Sequence, residues 1–135
     1  MSSITRISVS PKSEAENGYC TVVKAGPFYF IGGISAANPE TDAFEHPDDP
    51  VEQTRTVYHT RIAGILESLG LKPSNIVEET VFLRSWDRAD EVIATRKEFY
   101  ADTPGELPSA AAVQVLEFAD PALLVEVKLT AYAGD

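Results

Sequence analysis

The amino-acid sequence predicts a single α+β domain in which two helices lie on one face of a mixed sheet. Its 135 residues suit one domain of common size, residues 1–135. Segments rich in β-branched and aromatic residues alternate with turn residues, as strands do, and two segments carry apolar residues at helical spacing. The predicted order is βββαβαββ, and helices on one face of such a sheet define the α+β class.

The first three strands are predicted before residue 36. Residues 6–9 form a short first strand, and residues 19–24 and 28–35 form a hairpin around the turn at 25–27. These strands are rich in Val, Ile, Tyr and Phe, and Gly and Pro occupy the turn. A polar loop, residues 36–48, follows.

The first helix has clear start and stop signals. Asp49 is a good N-cap, Pro50 suits the first helical position, and Glu52 completes a capping-box pattern. Gly70 suits the position just past the helix end. The apolar stripe of this helix consists of Val51, Tyr58, Ile62, Ile65, Leu66 and Leu69.

The second half of the chain alternates strand and helix before a final pair of strands. Residues 79–85 are predicted to be a strand, and Asp87 is predicted to cap a second helix. Residues 102–107 form a loop, and residues 109–117 and 123–133 form the last two strands. The residues that share one side of the second helix are Val92, Arg96, Phe99 and Tyr100.

Composition excludes several classes of function. A formal net charge of -10 opposes binding to nucleic acid, which depends on Lys and Arg, and is explained by a solvated acidic surface. Cys20 is the only cysteine, so it cannot form an intrachain disulfide. The sequence contains neither a membrane-spanning apolar run nor a signal-peptide pattern, so a cytoplasmic location is expected.

Five short motifs occur in an order and spacing that resemble the Rid/YjgF family of reactive-intermediate deaminases. The resemblance covers residues 19–133. The motifs are Gly33 at a strand end, Asn38-Pro39-Glu40-Thr41, Leu69-Gly70-Leu71, Thr80-Val81-Phe82-Leu83 and Phe99-Tyr100.

The resemblance implies an assembly and an activity. It implies a homotrimer in which three sheets form a barrel-like centre and ligand pockets lie between subunits. It implies hydrolysis of enamine or imine intermediates of amino acids to a 2-keto acid and ammonia. It implies no metal and no organic cofactor.

The family's substrate-binding residues transfer onto this chain only in part. The tyrosine near the start of the second strand is retained as Tyr19. The Ser-Gly-Gln turn becomes Gly32-Gly33-Ile34, which keeps only the glycine, and the asparagine of the second helix becomes Ile93.

The family's charged groups are replaced. The carboxylate-binding arginine becomes Ala110, the cysteine two residues later becomes Ala112, and the glutamate of the last strand, which orients the attacking water, aligns with Thr130. Because arginine grips a carboxylate through a bidentate fork that alanine cannot form, the sequence favours an uncharged or more hydrophobic ligand.

Strand alternation suggests replacement polar groups. Even-numbered residues of the last strand share one face, and Ala110, Ala112 and Gln114 are expected to point the same way. Thr130 and Gln114 are therefore the candidate catalytic residues. The polar even-numbered residues are Glu126, Lys128, Thr130 and Tyr132. Hydrogen bonds and ion pairs between subunits are the favoured explanation of these residues.

Other residues with reactive or ligand-binding side chains have stronger structural explanations. Arg84 and Trp86 follow a strand and could contact a ligand, but strand-end residues of this kind are usually surface groups. His46 and His59 lie far apart in sequence, without metal-site spacing. Cys20 lies on an apolar strand, without a neighbouring base.

Two functions from different classes follow. The first is a divergent Rid-like enzyme that hydrolyses a small imine, enamine or related intermediate without the usual carboxylate clamp. Water would attack beside Gly32 and Gly33, and Tyr19, Gln114 or Thr130 would hold the ligand. The second is a non-catalytic sensor that keeps the ligand pocket. A ribonuclease is a distant third because of the negative charge.

Overall fold

The computed structural model describes residues 3–134 and contains a six-stranded mixed sheet. The strands lie in the order β1-β2-β3-β6-β4-β5, and neighbours pair antiparallel except for the parallel pair β4–β5. The predicted α+β class is confirmed. The strands are β1 Ile4–Ile7, β2 Val22–Ala25, β3 Phe28–Ile34, β4 Ile76–Leu83, β5 Ser109–Gln114 and β6 Val125–Tyr132.

One long helix covers the sheet. It consists of α2 (Pro50–Arg55), a π-helical segment (Thr56–Ile62, called the π segment) and α3 (Ala63–Leu69). The long helix packs against β3 and β6, and helix α4 (Ala89–Phe99) packs against α2 and the π segment. No helix within residues 3–134 has the length and apolar character that a membrane crossing requires.

An additional short helix, α1, spans Pro11–Asn17, so the predicted order lacked one element. The helix was missed because its seven residues have no apolar stripe. Its start is set by Pro11 in the first turn, and Gly18 ends it with a left-handed φ of 72°.

The predicted boundaries of the long helix are confirmed. The Asp49 carboxylate accepts hydrogen bonds from the backbone N–H groups of Val51 (3.0 Å) and Glu52 (3.1 Å), and Gly70 ends the helix with a φ of 71°. The predicted capping box is not completed, because the Glu52 carboxylate pairs with Arg55 at 3.4 Å.

Several strand boundaries and the start of α4 differ from the predicted ones. Strand β4 begins at Ile76 rather than at residue 79. Helix α4 begins after Arg88, so Asp87 is not its N-cap. The Arg88 guanidinium instead joins the start of α4 to Glu91 (2.6 Å) and to Asp49 (3.2 Å).

The register of β5 contradicts the prediction that its even-numbered residues face the same way as those of β6. In the parallel pair, Ala110 lies beside Glu79, whose side chain points to the helix side of the sheet. By alternation, Ala112 and Gln114 point to the same side. Thr130 lies beside Glu78 on the opposite, open face. Alternation within each strand was predicted correctly, but the relative register of two strands cannot be read from alternation.

A buried carboxylate joins the sheet to both helices. Glu79 of β4 is 3% exposed and accepts hydrogen bonds from the hydroxyls of Tyr58 (3.1 Å) and Tyr100 (3.0 Å). Arg96 of α4 pairs with its second oxygen and stacks over the Tyr100 ring. Burial and the Glu79 charge raise the pKa of Tyr58 and of Tyr100, so both hydroxyls stay protonated and donate.

A second carboxylate anchors α1. Glu14 accepts hydrogen bonds from the Ser8 and Thr21 hydroxyls and from the backbone N–H groups of Val9 (3.0 Å) and Thr21 (3.1 Å). Burial opposes the charged form, but these donors outweigh it and hold the pKa of Glu14 at about 2. The carboxylate thereby links α1 to the chain that enters β2.

We expect Glu79→Gln to lower the free energy of unfolding by about 3–5 kcal/mol, because it leaves the Arg96 charge half-buried without its counter-ion. Tyr100→Phe, which removes one donor to a charged acceptor, should lower it by about 1–3 kcal/mol. Urea denaturation measures both. Glu106→Gln, at an exposed loop position, serves as the control. A Glu79→Gln variant as stable as this control would contradict the role of the network.

The Glu14 network predicts a pH-dependent contribution to stability. The folded-state pKa of about 2 lies below the ordinary value of 4.5, so the contribution is complete above the ordinary value and is lost as the pH falls toward 2. We expect Glu14→Gln to lower the free energy of unfolding by about 2 kcal/mol at neutral pH. The difference between wild type and variant should shrink in acid. A difference that stays constant from neutral pH to acid would contradict this assignment.

Candidate functional site

A cleft of about 1040 Å³ opens at the end of β3. Its walls come from α1 and the segment after it, from the loop before the long helix, from the π segment and α3, and from the open face of the sheet. The lining residues used below are Tyr19, Gly33, Ile34, Asp42, Arg61, Phe82, Glu126 and Lys128.

The floor of the cleft holds a carboxylate against a glycine. A β-carbon built on Gly33 would lie 2.7 Å from both Cδ and Oε1 of Glu126, a distance that real β-carbons do not show. Glycine is therefore required at position 33 for the carboxylate to lie where it does. The register of β3 against β6 shifts over residues 31–34. Gly33, and with it the contact to the carboxylate, lies within this irregular stretch.

Glu126 carries an uncompensated charge. Its side chain is half-buried, and burial raises its pKa above the ordinary value of 4.5. No group among residues 3–134 donates a hydrogen bond to its carboxylate or forms an ion pair with it. A carboxylate whose pKa is raised and whose side chain lines a cleft is suited to accept and return a proton.

Three residues predicted to bind a ligand line the cleft. They are Tyr19, Gly33 and Ile34. Tyr19 is 42% exposed, and its hydroxyl donates a 2.8 Å hydrogen bond to Ser13 Oγ on α1. Gly32 does not line the cleft, and its backbone N–H donates to the Thr21 carbonyl at 2.7 Å.

The two predicted catalytic residues lie elsewhere in the chain. The Thr130 hydroxyl donates to Glu78 Oε1 at 2.9 Å, beside a separate hollow of about 390 Å³ on the open face. Gln114 is exposed at the sheet edge, where its amide donates to the Arg84 carbonyl at 3.3 Å. Neither side chain lines the cleft of its own chain.

The remaining predicted ligand-binding residues also lie outside the cleft. Ala110 and Ala112 are exposed on the edge strand β5, and Ile93 is 44% exposed on α4. Strand alternation had already placed Glu126 on the open face, so its position was accessible from sequence. Its contact with Gly33 was not, because alternation within a strand does not give the pairing of β3 with β6, which is irregular between Ile31 and Ile34.

The histidines and the cysteine take structural positions. The Nε2 atom of His59 lies 3.2 Å from the Thr95 carbonyl oxygen. His46 lies in the loop before the long helix with a φ of 53°. The Cys20 thiol donates to the Ile7 carbonyl at 3.4 Å. Within residues 3–134 no group of three or more His, Cys, Asp or Glu side chains could hold a metal ion.

Comparison with known proteins identifies relatives over most of the chain. The family model described as Endoribonuclease L-PSP matches residues 9–133. A RutC family protein of Pyrococcus horikoshii is 34% identical over 115 residues, which are 84% of this chain and 86% of that protein. A RutC family protein of Pyrococcus abyssi is 33% identical over 84% of this chain and 85% of its own length.

Solved structures share the fold. A member of the YjgF/YER057c/UK114 family from Mycobacterium tuberculosis superposes with a TM-score of 0.79 at 25% identity, over 96% of this chain and 99% of that one. The YjgF gene product of Escherichia coli superposes with a TM-score of 0.79 at 24% identity, over 95% and 98% of the two chains. The six-stranded mixed sheet and its helices match this fold, and the chain belongs to the Rid/YjgF family, whose family model is described as endoribonuclease L-PSP.

Proposed function

We propose that the protein is a hydrolytic deaminase of small imines or enamines and that Glu126 is its acid–base group. The observation that carries this proposal is the half-buried Glu126 carboxylate, which lies against the Gly33 backbone, lines the cleft and has no hydrogen-bond or ion-pair partner among residues 3–134. Hydrolysis of an imine needs one group that removes a proton from water and then returns it, and a carboxylate with a raised pKa can do both.

The chemistry requires only water as co-reactant. An enamine first takes a proton on carbon and loses one from nitrogen, which gives the imine. Glu126 then removes a proton from water as the water oxygen bonds to the imine carbon, and it passes this proton to the nitrogen. As the carbon–nitrogen bond of the resulting tetrahedral adduct breaks, the hydroxyl proton of the adduct passes to the nitrogen through the same carboxylate, and a carbonyl compound and ammonia leave. The carboxylate ends in its starting state.

Glu126 replaces Thr130 as the proposed counterpart of the family's water-orienting glutamate. Both residues lie on the open face, but only Glu126 lines the cleft, and the Thr130 hydroxyl is bonded to Glu78. Tyr19 and the backbone at Gly33 are the proposed ligand contacts. Ala110 supplies no arginine-like clamp, so we propose a divergent family member.

The runner-up function is a non-catalytic small-molecule sensor of the same fold. It is supported by Ala110, which stands where the resemblance places the arginine that binds the substrate carboxylate. A ribonuclease is disfavoured because acidic side chains line the cleft, among them Glu16, Asp42 and Asp120, and they would repel phosphates.

We also propose that the protein assembles as a homotrimer through the open face of the sheet. Phe28 and Phe30 are 39% and 44% exposed there and border the 390 Å³ hollow with Val77, which is 42% exposed. All six residues of the edge strand β5 are exposed as well. Apolar patches and unpaired strand edges of this kind usually mark protein contacts.

We expect Glu126→Gln to lower ammonia release from freshly generated 2-aminoacrylate-type imines at least about 100-fold, because the amide cannot accept the proton. For the wild type, the rate should fall in acid as Glu126 is protonated, with a midpoint above the ordinary value of 4.5. Because burial penalises the charged form, the neutral amide should not destabilise the fold.

The matched control for this experiment is Glu106→Gln, an exposed carboxylate outside the cleft. Wild-type activity in Glu126→Gln would overturn the role of this residue. A wild-type protein that binds these compounds or their products but releases no ammonia would favour the sensor.

The trimer predicts a mass in light scattering of three times the 14.7 kDa chain. We expect Phe30→Glu to shift the protein to monomers, because three such charges would be buried together without partners. Lys97→Glu on the exposed side of α4 should leave the mass unchanged. A monomeric wild-type protein would contradict the proposed trimer.

A further inference from the structure

Helix α1 holds Tyr19 at both ends. The Tyr19 hydroxyl donates to Ser13 Oγ at 2.8 Å, and the Tyr19 backbone N–H donates to the Glu14 carbonyl oxygen at 3.3 Å. The helix itself is fixed by the hydrogen bonds that the Glu14 carboxylate accepts from Ser8 and Thr21. The Tyr19 ring therefore has a defined place on the cleft wall, although 42% of its surface is exposed.

The surroundings of Ser13 make its side-chain oxygen an acceptor. The Asn17 amide nitrogen, which can only donate, lies 3.4 Å from Ser13 Oγ and 2.9 Å from the Ser13 carbonyl oxygen. A tyrosine hydroxyl has a single proton, and in Tyr19 that proton is directed to Ser13. The Tyr19 oxygen can therefore accept a hydrogen bond from a ligand N–H while it keeps its bond to Ser13. To donate to a ligand, it would have to break that bond.

The charge of the cleft favours the same kind of ligand group. Among residues 3–134, four carboxylates and two cations line it, and one of these cations, Arg61, pairs with Glu45 outside the lining. An excess of negative charge attracts an N–H group, above all a protonated one, and repels a carbonyl oxygen. The four acidic residues are Glu16, Asp42, Asp120 and Glu126, and the second cation is Lys128.

We propose that Ser13 is a positioning residue that fixes the Tyr19 hydroxyl as a hydrogen-bond acceptor, so that the site prefers the nitrogen end of an imine to the carbonyl product. This inference rests on the proposed function, because it takes Tyr19 as a ligand contact. An imine whose nitrogen carries a hydrogen can donate to Tyr19. The ketone or aldehyde that hydrolysis yields has only an acceptor oxygen there. The product thus loses a contact that the substrate makes, which favours its release.

The test compares the binding of two stable ligands of the same shape by ligand-detected NMR. Butanamidine is a cation with N–H groups on a planar carbon, and 2-pentanone is its carbonyl counterpart. The wild type should prefer the amidine. Ser13→Ala frees the Tyr19 proton for the ketone oxygen, so the ratio of the two affinities should fall about fivefold. Alanine is favoured within a helix, so this variant should fold.

Three further variants show whether Ser13 acts through Tyr19. Ser13→Thr keeps a hydroxyl at this position and should retain the wild-type ratio. In a Tyr19→Phe background, where no hydroxyl is left to orient, Ser13→Ala should leave the ratio unchanged. An effect of Ser13 on the structure of α1 alone would persist in that background. Ser74→Ala, at a half-buried serine outside the cleft, is the matched control.

The outcomes separate this inference from the proposed catalysis. An unchanged ratio in Ser13→Ala, a fall that persists in the Tyr19→Phe background, or a wild type that does not prefer the amidine would each overturn it. Binding does not require turnover, so these measurements do not depend on activity. A preference that depends on Ser13, found without ammonia release from imines, would contradict the catalytic proposal alone. Ammonia release with an unchanged ratio would contradict the role of Ser13 alone.

Discussion

The fold depends on one buried negative charge. Glu79 lies under both helices, and a carboxylate in such surroundings is tolerated only when its oxygens are fully engaged. Its oxygens accept hydrogen bonds from Tyr58 and Tyr100 and pair with Arg96, and these groups come from two separate helices. The long helix and α4 can therefore take only positions that bring these three groups to one point on β4. Apolar packing alone would leave more freedom in how the helices lie on the sheet.

Much of this architecture is accessible from the sequence, since alternation and helical spacing report burial directly. What they cannot report is a buried charge. In the sequence, Glu79 has the character of a surface residue. Together with Glu78 it interrupts the apolar pattern, so the predicted start of β4 falls at residue 79 and not at Ile76. Helix α1 is not predicted for a related reason. It is stabilised by the hydrogen bonds that Glu14 accepts and has no apolar face.

The site was harder to predict than the fold, because it depends on relations between strands. Alternation places Glu126 and Thr130 on one face, yet only Glu126 lines the cleft, beside the irregular pairing of β3 with β6. Likewise, the Ala110 side chain points to the helix side of the sheet and not to the open face as expected. The reason is the register of the parallel pair β4–β5, which the sequence of β5 does not indicate. A pocket built from several strands therefore needs coordinates, even where each strand is correctly predicted.

The contact between Gly33 and Glu126 also couples two positions that are far apart in the chain. Because a β-carbon on residue 33 would lie only 2.7 Å from the carboxylate, alanine or serine at position 33 would force the end of the Glu126 side chain to move. A small change in one strand would thus redirect the group that we propose as the acid–base group in another strand, without any change at position 126 itself.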